Sequence, residues 1–80
     1  MIQSTIYLVE DGRDCIACNK RNEAKQIARQ WCEAYMMDYD ENERKKMQIN
    51  YKDVFDSFSV RLNGQLMYLV HIRRIVYSEV

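Results

Sequence analysis

The chain has 80 residues, with 12 basic and 12 acidic side chains, no proline, two glycines and three cysteines. That length allows one domain spanning residues 1–80, with a small core and a large share of surface, so a flat or convex binding face is expected rather than a deep catalytic cleft. The balanced charge removes any long-range attraction to nucleic acid or an anionic membrane, and no apolar run approaches the roughly 18–20 residues that cross a bilayer.

An odd number of cysteines closes no disulfide framework, which fits a reducing compartment, and the chain is placed in a cytoplasm with no membrane association. The absence of proline also excludes the cis-Pro that thioredoxin-like folds set beside their reactive cysteines.

Residues 5–10 are rich in β-branched and aromatic side chains, Asp11-Gly12 supplies a turn, and residues 14–18 follow as a short second run. This predicts a first hairpin. Polar residues 19–22 then offer N-cap side chains, and from Glu23 the apolar positions follow a helical period. Ala24, Ile27, Ala28, Trp31 and Tyr35 fall on one stripe when successive residues turn by about 100°. Met36 and Met37 lie off that stripe, where an adaptable side chain suits either the rim of a core or a contact surface.

Residues 38–43 are almost wholly acidic or polar and Arg44-Lys45-Lys46 follows, which predicts a solvated loop or a helix extension. Met47, Ile49 and Tyr51 alternate with polar residues, as in a half-buried third strand. Asn63-Gly64 then sits between two alternating runs, and its tolerance of positive φ predicts a type I′ hairpin. The register that follows pairs Leu62 with Gln65, Val60 with Met67 and Phe58 with Leu69 on one face, and Arg61 with Leu66 and Ser59 with Tyr68 on the other. The order is β-β-α-β-β-β: an α+β domain with an antiparallel sheet of four to five strands and one amphipathic helix on one face. A helix laid on Phe58, Val60, Met67 and Leu69 leaves Leu66, Tyr68, Val70 and Ile72 as an uncovered apolar stripe, which is expected to dock a partner or a second copy.

Four groups of residues carry possible chemistry or contact. Cys15-Ile16-Ala17-Cys18 lies just ahead of the helix, but a strand points residues three apart to opposite faces, so core packing is the expected role. The same cysteines with Cys32 and His71 supply the four ligands of a structural zinc site, yet no glycine follows the pair to let a metal-binding knuckle turn; a zinc- or thiol-dependent module is kept as a weak alternative, and no metal or cofactor is expected. No nucleophile with a base, paired carboxylates or phosphate-cradling loop is present, so no enzymatic activity is expected.

Arg21, Lys25 and Arg29 lie along one flank of the helix, and Arg44, Lys45 and Lys46 would join them if the chain folds back, which gives a nucleic-acid-binding regulator as the alternative reading. Asp38, Tyr39, Asp40, Glu41 and Glu43 form a compact anionic segment suited to a basic groove on a nucleic-acid-handling protein. Negative charge just past a helix end is mildly unfavourable with the helix dipole, which points to some other reason for it. Six tyrosines in a chain of this length favour contact over catalysis. The leading reading is a small non-enzymatic protein that inhibits or modulates a larger complex by protein–protein contact. The small, neutral, motif-free α+β format resembles phage and mobile-element accessory proteins, including anti-CRISPR inhibitors, which would place it in a host-cell cytoplasm; the likeness is one of type and assigns no residue a role.

Overall fold

The computed structural model describes residues 2–79. Five strands, β1 (Ile2–Glu10), β2 (Cys15–Cys18), β3 (Met47–Lys52), β4 (Ser57–Leu62) and β5 (Gln65–Glu79), form one antiparallel sheet in the order β2-β1-β5-β4-β3. The long helix α1 (Arg21–Met36) packs across one face, and a single turn of helix, α2 (Glu41–Arg44), leads into β3. The predicted α+β order is observed, with α2 in place of the expected loop or extension. No helix among the described residues is long and apolar enough to cross a membrane.

The β4–β5 hairpin turns as its sequence requires: Asn63 and Gly64 take φ of 52° and 82°, the two positive values of a type I′ turn. The predicted register then holds for only two pairs, Leu62 with Gln65 and Arg61 with Leu66. A β-bulge follows, with Met67 as the extra residue, so that Val60 pairs with Tyr68, Ser59 with Leu69 and Phe58 with Val70. One inserted residue exchanges the two faces of everything beyond it. Tyr68, Val70 and Ile72 therefore join Phe58 and Val60 beneath the helix instead of forming a second, uncovered stripe. Val70 is wholly buried, Ile72 nearly so, and Tyr68 half-buried; only Leu66, ahead of the bulge, stays exposed. The expected docking stripe is core, apart from Leu66. His71 moves with the shift, to the face opposite Phe58 and Val60, where it pairs with Ser57 and Glu10.

The core is built from Val9, Val60, Val70 and Ile72 on the sheet and Ala24, Ala28 and Cys32 on the helix, with Met47, Phe58 and Cys18 at its margins. On α1 the buried line runs through positions 24, 28 and 32, each four residues from the last, and small side chains there let the helix approach the sheet closely. Of the predicted stripe, Ala24 and Ala28 lie on that line, while Ile27, Trp31 and Tyr35 flank it and are half-buried, and Met36 joins the rim. The helix begins at Arg21, two residues ahead of the predicted start, after Lys20, whose side chain makes no capping bond; the carbonyl of Lys20 accepts the first helical hydrogen bond from the Ala24 amide at 3.1 Å.

The opposite face of the sheet carries Ile6, Leu8 and Ile75, all half-buried, beside His71 and the Arg73–Glu10 ion pair at 3.0 Å, with half-buried Leu69 on the far side of His71. No helix lies across it among the described residues.

The bulge makes a direct prediction. Val70→Asp places a charge in a wholly buried position and is expected to abolish the cooperative melt, and Val70→Ala to lower stability by about 2 kcal/mol. Leu66→Asp, on the same predicted stripe, is expected to leave the far-ultraviolet circular dichroism and the melting temperature almost unchanged.

Candidate functional site

β1 ends at Glu10, opposite His71, while β5 continues alone on that side through positions 65–70. The β1–β2 turn and the C-terminal half of α1 border the notch this leaves. Asp11, Arg13 and Asp14 come from the turn, Trp31, Ala34, Tyr35 and Asp38 from one stripe of the helix and the residues just after it, and Tyr68 from β5; together they line a groove of about 570 Å³.

Each wall is held in place. The Asp11 carboxylate accepts hydrogen bonds from the backbone N–H groups of Arg13 at 2.9 Å and Asp14 at 2.7 Å, which closes the turn around Gly12 at φ 91°. Its other oxygen accepts a 2.6 Å hydrogen bond from the Tyr68 hydroxyl, tying the turn to β5. That bond, with the Asp14 amide next, holds the Asp11 carboxyl below its ordinary range, while burial and the neighbouring carboxylate push the Tyr68 phenol well above its own. The Tyr68 ring stacks on Tyr35, with centroids 4.6 Å apart and planes within 5°, and the Tyr35 hydroxyl lies 2.9 Å from that of Tyr39. Asp14 and Asp38 form no salt bridge among the described residues. The groove therefore presents three carboxylates against one guanidinium, on walls of Trp31, Tyr35 and Tyr68.

Of the predicted anionic segment, only Asp38 reaches the groove. Tyr39 is half-buried and turned toward Tyr35, and Asp40 caps α2, its carboxylate accepting from the Glu43 amide at 2.8 Å. Glu41 and Glu43 occupy the first turn of α2, where negative charge is favourable. The misfit read at the end of α1 is thus relieved by a new helix start. Its sequence signal was Asp40 followed three residues later by Glu43, the spacing of a capping box. Asp11, Asp14 and Trp31 were missed because a turn and a helix distant in sequence supply them.

The basic residues are dispersed. Arg21 donates to Tyr51 at 3.0 Å, Asp56 at 3.2 Å and Asp53 at 3.3 Å; Lys25 lies 4.5 Å above the Tyr51 ring; Arg29 pairs with Glu33 at 3.3 Å. Arg44 turns to the Met37 sulfur at 3.4 Å. Arg21 begins α1 and Arg44 sits beside Met37 just past its end, at opposite ends of a helix about 24 Å long at 1.5 Å per residue. Arg21 and Arg44, from the two basic groups that the alternative reading would join if the chain folded back, lie apart.

The Arg21 contacts serve the β3–β4 turn. The Tyr51 hydroxyl donates to Asp56 at 2.8 Å, Asp56 holds φ 46°, and its carbonyl accepts the Ile72 amide at 2.9 Å. Burial, with the Asp56 hydrogen bond behind it, pushes the Tyr51 phenol up to about 12. This clamp displays Val54 and Phe55 at the tip, 89% and 67% exposed.

The four candidate zinc ligands are split by the sheet. Cys15 and His71 lie on the open face, on either side of Glu10, while Cys18 and Cys32 are buried under the helix; among the described residues no group of three His, Cys, Asp or Glu is placed to hold a metal. Burial pushes the Cys32 thiol up to about 11 and raises that of Cys18.

Two outcomes test this arrangement. An aromatic disulfide reagent is expected to titrate one thiol in the native protein, lost in Cys15→Ser, and all three after denaturation. Arg21→Ala is expected to speed hydrogen exchange at the Asp56 and Ile72 amides while leaving the Val60 amide protected, as read by nuclear magnetic resonance. Comparison with protein-family models, with characterised proteins and with solved structures found no match to this chain.

Proposed function

We propose that the chain is a non-enzymatic binding protein that inhibits or modulates a larger complex by protein–protein contact, and that the groove between the β1–β2 turn and α1 is where it grips a basic segment of its partner. The observation that carries this reading is the combination of three carboxylates, Asp11, Asp14 and Asp38, with the aromatic side chains of Trp31, Tyr35 and Tyr68 in one groove. Arginine suits such a place: its guanidinium pairs with carboxylates through a fixed fork of donors and lies flat on aromatic rings. The same carboxylates repel phosphate, which favours a protein over a nucleic acid at this surface. Preorganisation supports the reading too, since the Asp11–Tyr68 bond and the Tyr35–Tyr68 stack fix the walls before a partner arrives. The clamped Val54–Phe55 tip would add an apolar contact at the other end of the sheet.

Trp31 is the only tryptophan in the chain and lines the groove, so its fluorescence reports on occupancy directly. Titration with a short arginine-rich peptide is expected to change Trp31 emission saturably, and Asp14→Lys with Asp38→Lys is expected to weaken that binding at least about tenfold, a loss of about 1.4 kcal/mol. A single-stranded DNA oligonucleotide is expected to produce no change. Failure of the peptide to alter Trp31 emission, or equal binding by the charge-reversed protein, refutes the groove as the site. A DNA response that weakens steeply with salt would favour the nucleic-acid reading.

A further inference from the structure

One feature of the fold serves neither the core nor the groove. β2 pairs only with positions 7–10 of β1, and β4 pairs with β5 only as far as His71. Among the described residues, 2–6 and 75–79 therefore have strand partners only in each other, Ile2 with Glu79, Ser4 with Tyr77 and Ile6 with Ile75. They project as a two-stranded ribbon, and the molecule measures 54 Å along its longest axis against 22 and 19 Å across. Such a ribbon is marginal in water by itself. This one also exposes Ile2, Val76 and Tyr77, at 67%, 49% and 41%.

Its two bare edges differ in chemistry. The free edge of β5 begins at Arg73 and Arg74; Arg73 reaches back to Glu10 of β1 at 3.0 Å, and exposed Arg74 is a charge of the kind that guards an edge against other strands. The outer edge of β1 has no guard. From residue 2 to residue 9 the sequence contains no charge, no proline and no glycine, and no bulge interrupts its pairing. A regular, uncharged edge with unpaired backbone groups is a template for another strand.

We propose that this edge pairs, antiparallel, with the same edge of a second copy of the chain, about a two-fold axis midway between the two copies of Ser4. A two-fold perpendicular to the sheet keeps each face on its own side, so the axis must lie level with one residue, which then opposes its own equivalent, and not level with a peptide bond. β2 occupies the adjacent lane from Tyr7 onward, and among the described positions 2–6 a centre at position 4 opposes the most residues. Ile2 then faces Ile6 of the other copy, Gln3 faces Thr5, and Ser4 meets its own equivalent. Each contact matches in kind: apolar with apolar, amide with hydroxyl, hydroxyl with hydroxyl. Ile2 and Ile6 of both copies lie on the face away from the helix and extend the apolar centre formed there by Ile6, Leu8 and Ile75. The match of this edge to its own sequence selects a second copy over a foreign strand, because a closed two-fold contact asks a surface to complement itself. The pairing joins two five-stranded sheets into one of ten strands, and it is independent of the groove.

Sedimentation and light scattering across a concentration series provide the test, with circular dichroism as a check on folding. The wild-type chain is expected to dimerise, and Ser4→Lys, which sets two like charges opposite each other at the axis, to raise the dimer dissociation constant at least about tenfold. Directly opposed residues in an antiparallel pair have Cα atoms about 4.5–5.5 Å apart, within the span of a disulfide, so Ser4→Cys in a Cys15→Ser background is expected to link two chains under mild oxidation. A wild-type chain that stays monomeric up to millimolar concentration overturns the proposal, and so does a dimer that Ser4→Lys leaves intact and Ser4→Cys fails to link. If Ser4→Lys does not fold, the cross-link alone decides.

Discussion

The fold depends on one extra residue in β5. Without the bulge at Met67, the hairpin set by Asn63-Gly64 would carry Met67 and Leu69 under the helix and turn Tyr68, Val70 and Ile72 away from it. With the bulge, Val70 and Ile72 fill the centre of the core against Val9 and Val60, and Tyr68 reaches the Tyr35 ring above and Asp11 to the side. β-branched Val70 buries wholly and Ile72 nearly so on a pleated surface, while Met67 tolerates the irregular, half-buried place of the bulge. The local penalty of a disrupted ladder is offset by burying two aliphatic side chains, each worth about 1.5–3 kcal/mol.

The α+β class, the order of the long elements and the type I′ turn were legible because each rests on a local signal: alternation, helical period, or a dipeptide that tolerates positive φ. The bulge was not. Residues 66–72 run Leu-Met-Tyr-Leu-Val-His-Ile, apolar at both parities, so the alternation that normally fixes register gave two nearly equal answers. Tertiary contact with α1 separates them, and the pattern of β5 alone contains no trace of it. The same limit hid the groove, whose walls are brought together from the first turn, the end of the helix and the fifth strand. The Arg21 clamp was misread for a related reason: a row of basic residues on a helix flank looks like a free surface until the acidic turn that faces it is placed.

Tyr68 belongs to both the core and the groove. Its ring continues the buried row of Val60 and Val70, while its hydroxyl holds the Asp11 carboxylate that shapes the β1–β2 turn. Stability and site geometry are therefore coupled at this residue. Asp14 and Asp38, by contrast, sit on the rim and bear no packing load, so charge in the groove can change without disturbing the fold beneath it.

The length of β5 unites these features. Its 15 residues serve two different neighbours in turn, β4 through His71 and β1 from His71 onward, so the two halves of the sheet are offset along it. An offset sheet cannot have straight ends. On one side it leaves a notch where β1 has stopped and β5 continues, and the groove lies there under α1; at the far end it leaves β1 and β5 projecting together beyond every other strand. One long helix covers the overlap of the two halves and reaches neither extremity completely. A strand of ordinary length, about five or six residues, would have given a blunt sheet with no notch and no arm. The excess length adds little to the core, since the arm residues are mostly exposed, and backbone ordered without burial is entropically costly. The offset exposes uncovered structure at two places, the groove and the arm, and the contacts proposed there would offset that cost.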